Sequence, residues 1–284
     1  MPELPEVEQA ARTLGEQIVG AHFDGTIRCS WLKTIESHDT DLLGAQLRDV
    51  QVTGWRRRAK WILITLDNQI TLAAHLRMTG RFVVCGRDDA DIPQQRVAFG
   101  LRDGREVRFV DQRKFGRIRF LTPPELHQLE AAHGYEPFDI VLTPAVFFQL
   151  TQSTQRIIKA VLLDQTVLAG IGNIYADEAL WRAQIHPQTP ANKVTPAQAT
   201  ALLDAIQTVL RQALTNGGST LRDYRDSYGA KGTQQDNFMA YDRTNQPCGR
   251  CGTLIVKTVV AQRGTHFCPQ CQTLDVGAIK STVY

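Results

Sequence analysis

Trp61-Ile62-Leu63-Ile64-Thr65-Leu66-Asp67-Asn68-Gln69-Ile70-Thr71-Leu72 reads as two short strands joined at a turn. β-Branched residues dominate both arms, and Asp67-Asn68 supplies the residue types that turns favour. The pattern repeats outward. Val50-Gln51-Val52 precedes it, and Arg81-Phe82-Val83-Val84, Val97-Ala98-Phe99, Val107-Arg108-Phe109-Val110 and Ile118-Arg119-Phe120-Leu121 follow, with Asp103-Gly104 as a further turn. Strands and turns at this spacing predict an all-β sandwich or barrel over residues 1–130.

On the N-terminal side, Glu6-Val7-Glu8-Gln9-Ala10-Ala11-Arg12 predicts a helix reaching about Val19. On the C-terminal side, Leu121-Thr122-Pro123-Pro124 breaks the last strand, and residues 131–150, with Gly134, Pro137 and Pro144, read as a linker with short helices. From about Phe147 the apolar period becomes helical, through Val161-Leu162-Leu163, Ile174, Ala179-Leu180, Leu202-Leu203, Ile206 and Val209-Leu210. Asn216-Gly217-Gly218-Ser219-Thr220 ends that region at about Thr215, and the polar stretch from Arg222 to Asn237 predicts a mobile loop. The chain is therefore expected to be an α+β protein of more than one domain.

A length of 284 residues accommodates two domains, and 43% hydrophobic residues is a globular composition. That excludes a disordered chain. A run of about 18 apolar residues is absent, and three glutamates among the first eight residues are unlike a basic signal peptide, so a cytoplasmic location is expected. Net charge is only +3, but residues 51–130 carry fifteen basic against nine acidic side chains, and residues 221–284 eight against five. Such blocks are either solvated faces or footprints for a polyanion.

Four of the six cysteines fall in two pairs, Cys248-Gly-Arg-Cys251 and Cys268-Pro-Gln-Cys271, separated by sixteen residues. This is the spacing of a four-thiolate zinc site on two knuckles. With no ligand position left for water, one structural Zn2+ is expected. Between the pairs, Gln262-Arg263-Gly264-Thr265 sits at a hairpin tip, and a tip arginine on a rigid support is either solvated or a phosphate ligand. Ala169-Gly170-Ile171-Gly172-Asn173-Ile174-Tyr175 brings two glycines to a helix start, where Asn173 caps the helix or meets an anion. It is no dinucleotide fingerprint, because Tyr175 stands where the third glycine would be.

In Arg56-Arg57-Arg58-Ala59-Lys60, strand alternation sends neighbouring cations to opposite faces. His75-Leu-Arg77-Met78-Thr-Gly80 and Asp111-Gln-Arg113-Lys114-Phe115-Gly116 are turns that place Met78 and Phe115 among polar and cationic neighbours. Each is either a core residue or an apolar wedge suited to a base stack. Finally, Met1-Pro2-Glu3-Leu4-Pro5-Glu6 has two readings. It is a helix N-terminus with proline and acidic residues in the first turn. Alternatively, removal of Met1 frees a secondary amine at Pro2, which attacks a sugar aldehyde carbon to give an iminium, with Glu3 as a nearby acid.

Taken together, the Pro-Glu-Leu-Pro-Glu start, Arg-Arg-Ala-Lys, His-Leu-x-Met-x-Gly, Arg-x-Phe-Gly, Gly-x-Gly-Asn-Ile-Tyr and the cysteine ribbon with its Gln-Arg tip resemble the bacterial formamidopyrimidine-DNA glycosylases. The resemblance covers about residues 2–271. It implies a β-sandwich with an N-terminal helix at 1–130, a helix-two-turn-helix region with a lesion-capping loop at 151–237, and a zinc β-ribbon at 238–272. A tail at 273–284 has no assigned role. It implies a monomer acting in the cytoplasm, at the nucleoid, on duplex DNA containing an oxidised purine, with base excision followed by β,δ-elimination.

By motif, Pro2 would be the Schiff-base nucleophile, Glu3 the acid, and Lys60 and Arg263 phosphate ligands that assist elimination. His75, Asn173 and Tyr241 would touch the DNA backbone, while Met78, Arg113 and Phe115 would fill the void left by a flipped base. Two positions depart from the family pattern: Gln94, near Arg96, replaces a frequent histidine, and Thr154-Gln155 precedes Arg156 where lysines are usual. Two alternatives stay open. One is an endonuclease VIII-like enzyme for oxidised pyrimidines, against which Leu4 and the Met78, Arg113, Phe115 set argue. The other is a non-catalytic zinc-ribbon DNA-binding protein, which covalent trapping would separate.

Overall fold

The computed structural model describes residues 1–36 and 39–274; most of the expected tail, from residue 275 on, lies outside the described residues. In order, the chain forms α1 (Leu4–Ile18), β1 (Phe23–Cys29), α2 (Thr40–Leu47), β2 (Val52–Arg58), β3 (Trp61–Leu66), β4 (Thr71–His75), β5 (Arg81–Gly86), β6 (Gln95–Leu101), β7 (Arg105–Val110) and β8 (Arg117–Leu121). Helices α3 (Pro123–Ala131), α4 (Pro144–Gln152), α5 (Ile158–Leu163), α6 (Asn173–Ala183) and α7 (Pro196–Thr215) follow, and the hairpin of β9 (Val256–Val260) and β10 (Arg263–Phe267) comes last. These elements group into two compact units, Met1–Ala132 with Leu214–Gln235, and His133–Ala213 with the residues from Asp236 on.

The first unit contains two four-stranded antiparallel sheets, ordered β1-β6-β7-β5 and β2-β3-β4-β8. They share one core. Phe23, Phe82, Phe99 and Phe109 from one sheet pack with Ile62, Ile64, Leu72 and Phe120 from the other, and α1 adds Val7, Ala11 and Leu14. Phe99 meets Phe120 edge-on across the two layers, with ring centroids 5.9 Å apart. Each such ring contributes about 1.5–3 kcal/mol by leaving water, so the unit is held by its own apolar interior.

Two elements depart from the sequence pattern. Strand β1 was hidden because Gly25 adopts φ +87° and the register slips between Phe23 and Ile27, so apolar alternation is interrupted. The Pro123-Pro124 pair does more than stop β8. Thr122 caps α3 in a capping box with Glu125, which places proline in the first turn, where its missing N–H costs nothing.

Residues 216–235, which take in most of the polar stretch from Arg222 to Asn237, carry hydrogen bonds at both ends. Thr233 N–H donates to the Asn216 carbonyl at 2.9 Å and Gln234 N–H to the Gly218 carbonyl at 3.0 Å, closing the base of the segment. Its far end turns at Asp226, whose Oδ1 accepts from the amides of Tyr228 (3.0 Å) and Ala230 (2.8 Å). There it meets α1, through Gln9 Nε2 to Asp226 Oδ2 at 3.1 Å and Ser227 N–H to Thr13 Oγ1 at 3.2 Å. The segment was expected to belong with the helical region, yet it groups with the sandwich.

In the second unit, α7 buries Leu202, Leu203, Ile206, Val209 and Leu210 at helical spacing, α5 packs on α6, and the β9–β10 hairpin lies against α6. Among the described residues, no helix is long and apolar enough to cross a membrane.

Candidate active site and nucleic-acid interface

The N-terminal residues are fixed by reciprocal hydrogen bonds. Glu3 is the N-cap of α1, and in the capping box the Glu3 carboxylate accepts from the Glu6 amide while Glu3 N–H donates to Glu6 Oε2 at 2.8 Å. The other oxygen of Glu6 accepts from Ser219 N–H at 2.7 Å and Ser219 Oγ at 3.0 Å. Tyr224 donates its hydroxyl to the Glu6 carbonyl at 2.9 Å, and burial together with the Glu6 and Asp226 charges pushes the Tyr224 phenol well above its ordinary pKa, so it remains a donor.

Glu3 is 2% exposed and Glu6 1%, and Pro2 is also buried. Two carboxylates so withdrawn from water are met by the amides of Glu3, Glu6 and Ser219 and by the Ser219 hydroxyl. Gly218 permits the contact: with φ +80°, a Cβ there would lie 2.9 Å from Glu6 Cγ. Glu6 was absent from the expected site. Its position three residues after Glu3 signalled only a cap, and nothing in the sequence pointed to Ser219.

The basic run splits as alternation requires. Arg56 pairs with Glu130 and Arg58 donates to the Glu130 carbonyl at 3.2 Å, whereas Arg57 turns to Glu8 at 2.9 Å. Lys60, 5% exposed, ends the two-residue turn between β2 and β3, whose other residue, Ala59, takes φ +52°. His75 ends β4 and packs edge-on against Trp61, with ring centroids 5.0 Å apart. Its Nδ1 accepts from Arg77 N–H at 3.0 Å, so the ring proton sits on Nε2, an N–H donor.

Met78 (39% exposed) and Phe115 (48%) stand on two separate turns, and Asp111 joins them. Asp111 Oδ1 accepts from Arg113 N–H at 3.1 Å and from the Thr79 hydroxyl, and Oδ2 accepts from Gly116 N–H at 2.7 Å. Thr79 Oγ1 in turn accepts from Arg113 N–H at 3.1 Å. Arg113 stacks over Phe115, 5.1 Å from guanidinium carbon to ring centroid. Met78, Arg113 and Phe115 therefore project from a single braced support. Asp111 and Thr79 were not foreseen, since no sequence signal couples residues 32 apart.

A cavity of about 380 Å³ in the same unit is lined by Thr79, Gln94 and Gln112 on the sandwich side and by Arg222, Asp223 and Arg225 on the loop side. Arg81 also faces it; burial, then the nearby Arg225 charge, draws its pKa down. The cavity is polar and cationic.

The second unit carries Asn173, Tyr241, Arg263 and the cysteines. Ala261 and Gln262 form the β9–β10 turn with φ +50° and +58°, and exposed Arg263 is the first residue after it. Asn173 Nδ2 donates to the Gly264 carbonyl at 2.8 Å, tying that tip to the first turn of α6. Beneath it lies a fully buried ion pair. Lys159 Nζ is 2.5 Å from Asp177 Oδ1 and 2.6 Å from Thr265 Oγ1, while Asp177 Oδ2 accepts from His266 N–H at 2.8 Å. Glu178 gathers the amides of Met239, Ala240 and Tyr241 at 2.7–2.9 Å. The Tyr241 ring rests edge-on against His266, with centroids 5.0 Å apart.

Cys248, Cys251, Cys268 and Cys271 bring their four sulfurs within 4.8 Å of one another. The Cys248–Cys271 and Cys251–Cys268 separations are 4.0 and 3.5 Å, bracketing the roughly 3.8 Å edge of a tetrahedron with Zn–S bonds of about 2.3 Å. The donor set fits one zinc ion held structurally.

Three family models match in chain order: the formamidopyrimidine-DNA glycosylase N-terminal domain over residues 1–118, the formamidopyrimidine-DNA glycosylase H2TH domain over 133–225, and a zinc finger found in FPG and IleRS over 245–274. The chain is 54% identical to the formamidopyrimidine-DNA glycosylase of Roseiflexus sp. (strain RS-1), covering 96% of this chain and 100% of that one. It is 47% identical to the enzyme of the same name from Chloroflexus aurantiacus, covering 96% and 98%. Among solved structures, it resembles the Lactococcus lactis Fpg in complex with DNA containing an abasic site, with TM-score 0.89, 32% identity and coverage of 96% and 100%. It also resembles MutM in complex with DNA containing carbocyclic 8-oxo-G, with TM-score 0.88, 33% identity and the same coverage.

Proposed function

The chain belongs to the formamidopyrimidine-DNA glycosylase family, and we propose that it excises oxidised purines, 8-oxoguanine and formamidopyrimidines, from duplex DNA and then cleaves the strand by β,δ-elimination. After loss of Met1, the Pro2 amine attacks C1′ of the damaged nucleoside. The C1′–N bond breaks and the base leaves with its electron pair and a proton. The Pro2 N–H is lost to give an aminal, and cleavage of C1′–O4′ with protonation of O4′ opens the sugar ring as Pro2 nitrogen and C1′ form an iminium. The iminium acidifies the neighbouring C–H, and elimination expels the 3′ and then the 5′ phosphate. Glu3 gives the proton that the leaving group or ring oxygen needs.

The observation that carries this reading is the Glu3–Glu6–Ser219 chain of hydrogen bonds, which holds the start of α1 buried and in register with the 216–235 segment. A capping box accounts for Glu6 and one of its oxygens; it does not account for the other, which is bound to Ser219, 213 residues away. The test is borohydride trapping on duplexes carrying either 8-oxoguanine or an oxidised pyrimidine. We expect a covalent adduct with the 8-oxoguanine duplex; faster trapping on the pyrimidine duplex would move the enzyme to the endonuclease VIII-like class.

In this reading residues 1–130 carry the chemistry, 151–237 the helix-two-turn-helix contacts and the segment that closes over the base, and 238–272 the zinc ribbon. The enzyme works as a monomer in the cytoplasm, on nucleoid DNA. His75, through Nε2–H, joins Asn173 and Tyr241 on the DNA backbone, and Lys60 and Arg263 hold phosphates. Lys60→Ala and Arg263→Ala should each weaken binding to every duplex alike and lower the slope of log affinity against log salt by about one unit. A loss that depends on sequence, at unchanged slope, would count against this role.

Met78, Arg113 and Phe115 fill the space vacated by the extruded base, with Arg113 facing the orphaned cytosine. Extrusion costs a few kcal/mol of stacking, which the wedge offsets in part. Phe115→Ala should therefore slow excision from duplex DNA by about tenfold while barely changing lyase action on a preformed abasic site. Equal losses on both substrates would assign Phe115 to folding.

A further inference from the structure

Helix α6 turns one face toward the cysteine ribbon. Asn173, Asp177 and Trp181 are spaced at i, i+4 and i+8, and each makes a polar contact with it: Asn173 to the Gly264 carbonyl, Asp177 to His266 N–H, and Trp181 to a cysteine sulfur. The last contact is unusual in kind. Trp181 Nε1 lies 3.3 Å from Cys248 Sγ, a hydrogen-bonding distance for an N–H donor and a sulfur acceptor. The indole packs against the small cluster of Cys248, Ile255 and Cys268. Arg250, between the two cysteines of the first knuckle, lies over the indole at 4.4 Å and donates to the carbonyls of Trp181 (3.1 Å) and Arg182 (3.3 Å).

An indole N–H only donates, and a partly buried one needs an acceptor. Four thiolates around Zn2+ carry two net negative charges, and a donor to one sulfur lowers the cost of holding that charge in a desolvated cluster. Outer partners of this kind orient a ligand and set metal affinity.

We propose that Trp181 is a positioning residue for the zinc centre: its indole N–H holds the Cys248 sulfur in ligating geometry and slows release of the metal. Phenylalanine at this position keeps an aromatic ring against the cluster but removes the donor. The inference rests on the zinc site itself, whose occupancy is measured separately.

The test uses the full-length, zinc-loaded protein. Zinc content of the parent is read first, by elemental analysis. Trp181→Phe is then compared with the parent in competition against a chromophoric zinc chelator, and the thermal midpoint of each is measured with zinc and after zinc removal. We expect the variant to yield zinc to the chelator about tenfold more readily, with the midpoints of the two metal-free proteins equal. A second measurement needs no variant. In protein loaded with a spin-half cadmium isotope, the Trp181 indole proton should show scalar coupling to the metal through the Cys248 sulfur. Zinc retention within twofold of the parent, an equal loss of midpoint with and without metal, or a resolved but uncoupled indole proton would each overturn the proposal. A parent protein without zinc would overturn the metal site along with it.

Discussion

A protein that keeps Met1, or carries any extension before Pro2, is expected to bind damaged duplex normally and to give no borohydride-stable adduct. In a peptide bond the proline nitrogen shares its lone pair with the carbonyl. As a free terminus, by contrast, it titrates near ~8 and is partly neutral at physiological pH. Both base excision and strand cleavage should fall at least about a thousandfold, because both pass through the same covalent intermediate. Binding should survive, since Met1 is already 48% exposed and added residues can extend into solvent.

Glu3→Gln separates the two steps. It should stop base excision while leaving more of the lyase activity on abasic DNA, where no base has to leave. Glu6 makes a second carboxylate available to misread, so the decisive measurement is mass spectrometry of the trapped adduct. DNA found on a lysine such as Lys60, with Pro2 unmodified, would end this mechanism.

Removal of zinc, by a strong chelator or by Cys268→Ser, should weaken DNA binding by about a hundredfold or more and yet leave a cooperative melting transition. The β9–β10 hairpin has only two strands, too few for independent stability. Its apolar support is Ile255 with Cys248 and Cys268, against which Trp181 packs. Structural zinc supplies about 10–16 kcal/mol in comparable small modules, so the hairpin and the tip carrying Arg263 should lose their fold with the metal. The first unit has its own core of phenylalanines and aliphatic residues, and should melt as before. Calorimetry and DNA titration on the same metal-free sample check both halves. Fully active protein with no zinc would contradict the prediction.

Legibility in the sequence followed the range of the interactions involved. Strands β3, β4 and β7 were readable because period-2 alternation is a local property, and the cysteine pairs because ligand spacing is local too. β1 was not, since Gly25 and the bulge after Phe23 erase the period. Motif resemblance named residues that geometry alone would not have, such as His75 and Asn173, but it passed over the groups that hold them. Asp111 bracing Thr79, Asp177 receiving Lys159, and Glu178 collecting three amides are pairings between distant positions, and a single sequence carries no trace of them. The contacts of residues 216–235 with α1 were likewise out of reach: composition reported polarity, while the partners Gln9 and Thr13 lie more than 200 residues away.

The bond between Ser219 and Glu6 has a consequence during synthesis. Its partners are 213 residues apart, and the first unit is completed only by chain that follows the whole of α3 to α7. At ribosomal speeds of about 5–20 residues per second, roughly ten to forty seconds separate the emergence of the two groups. Until then the Glu6 carboxylate lacks its Ser219 donors, and α1 is held through its apolar face, Val7, Ala11 and Leu14. A nascent or prematurely ended chain thus lacks the segment that donates to Glu6, and on the proposed mechanism its Pro2 amine would stand on an unfinished framework.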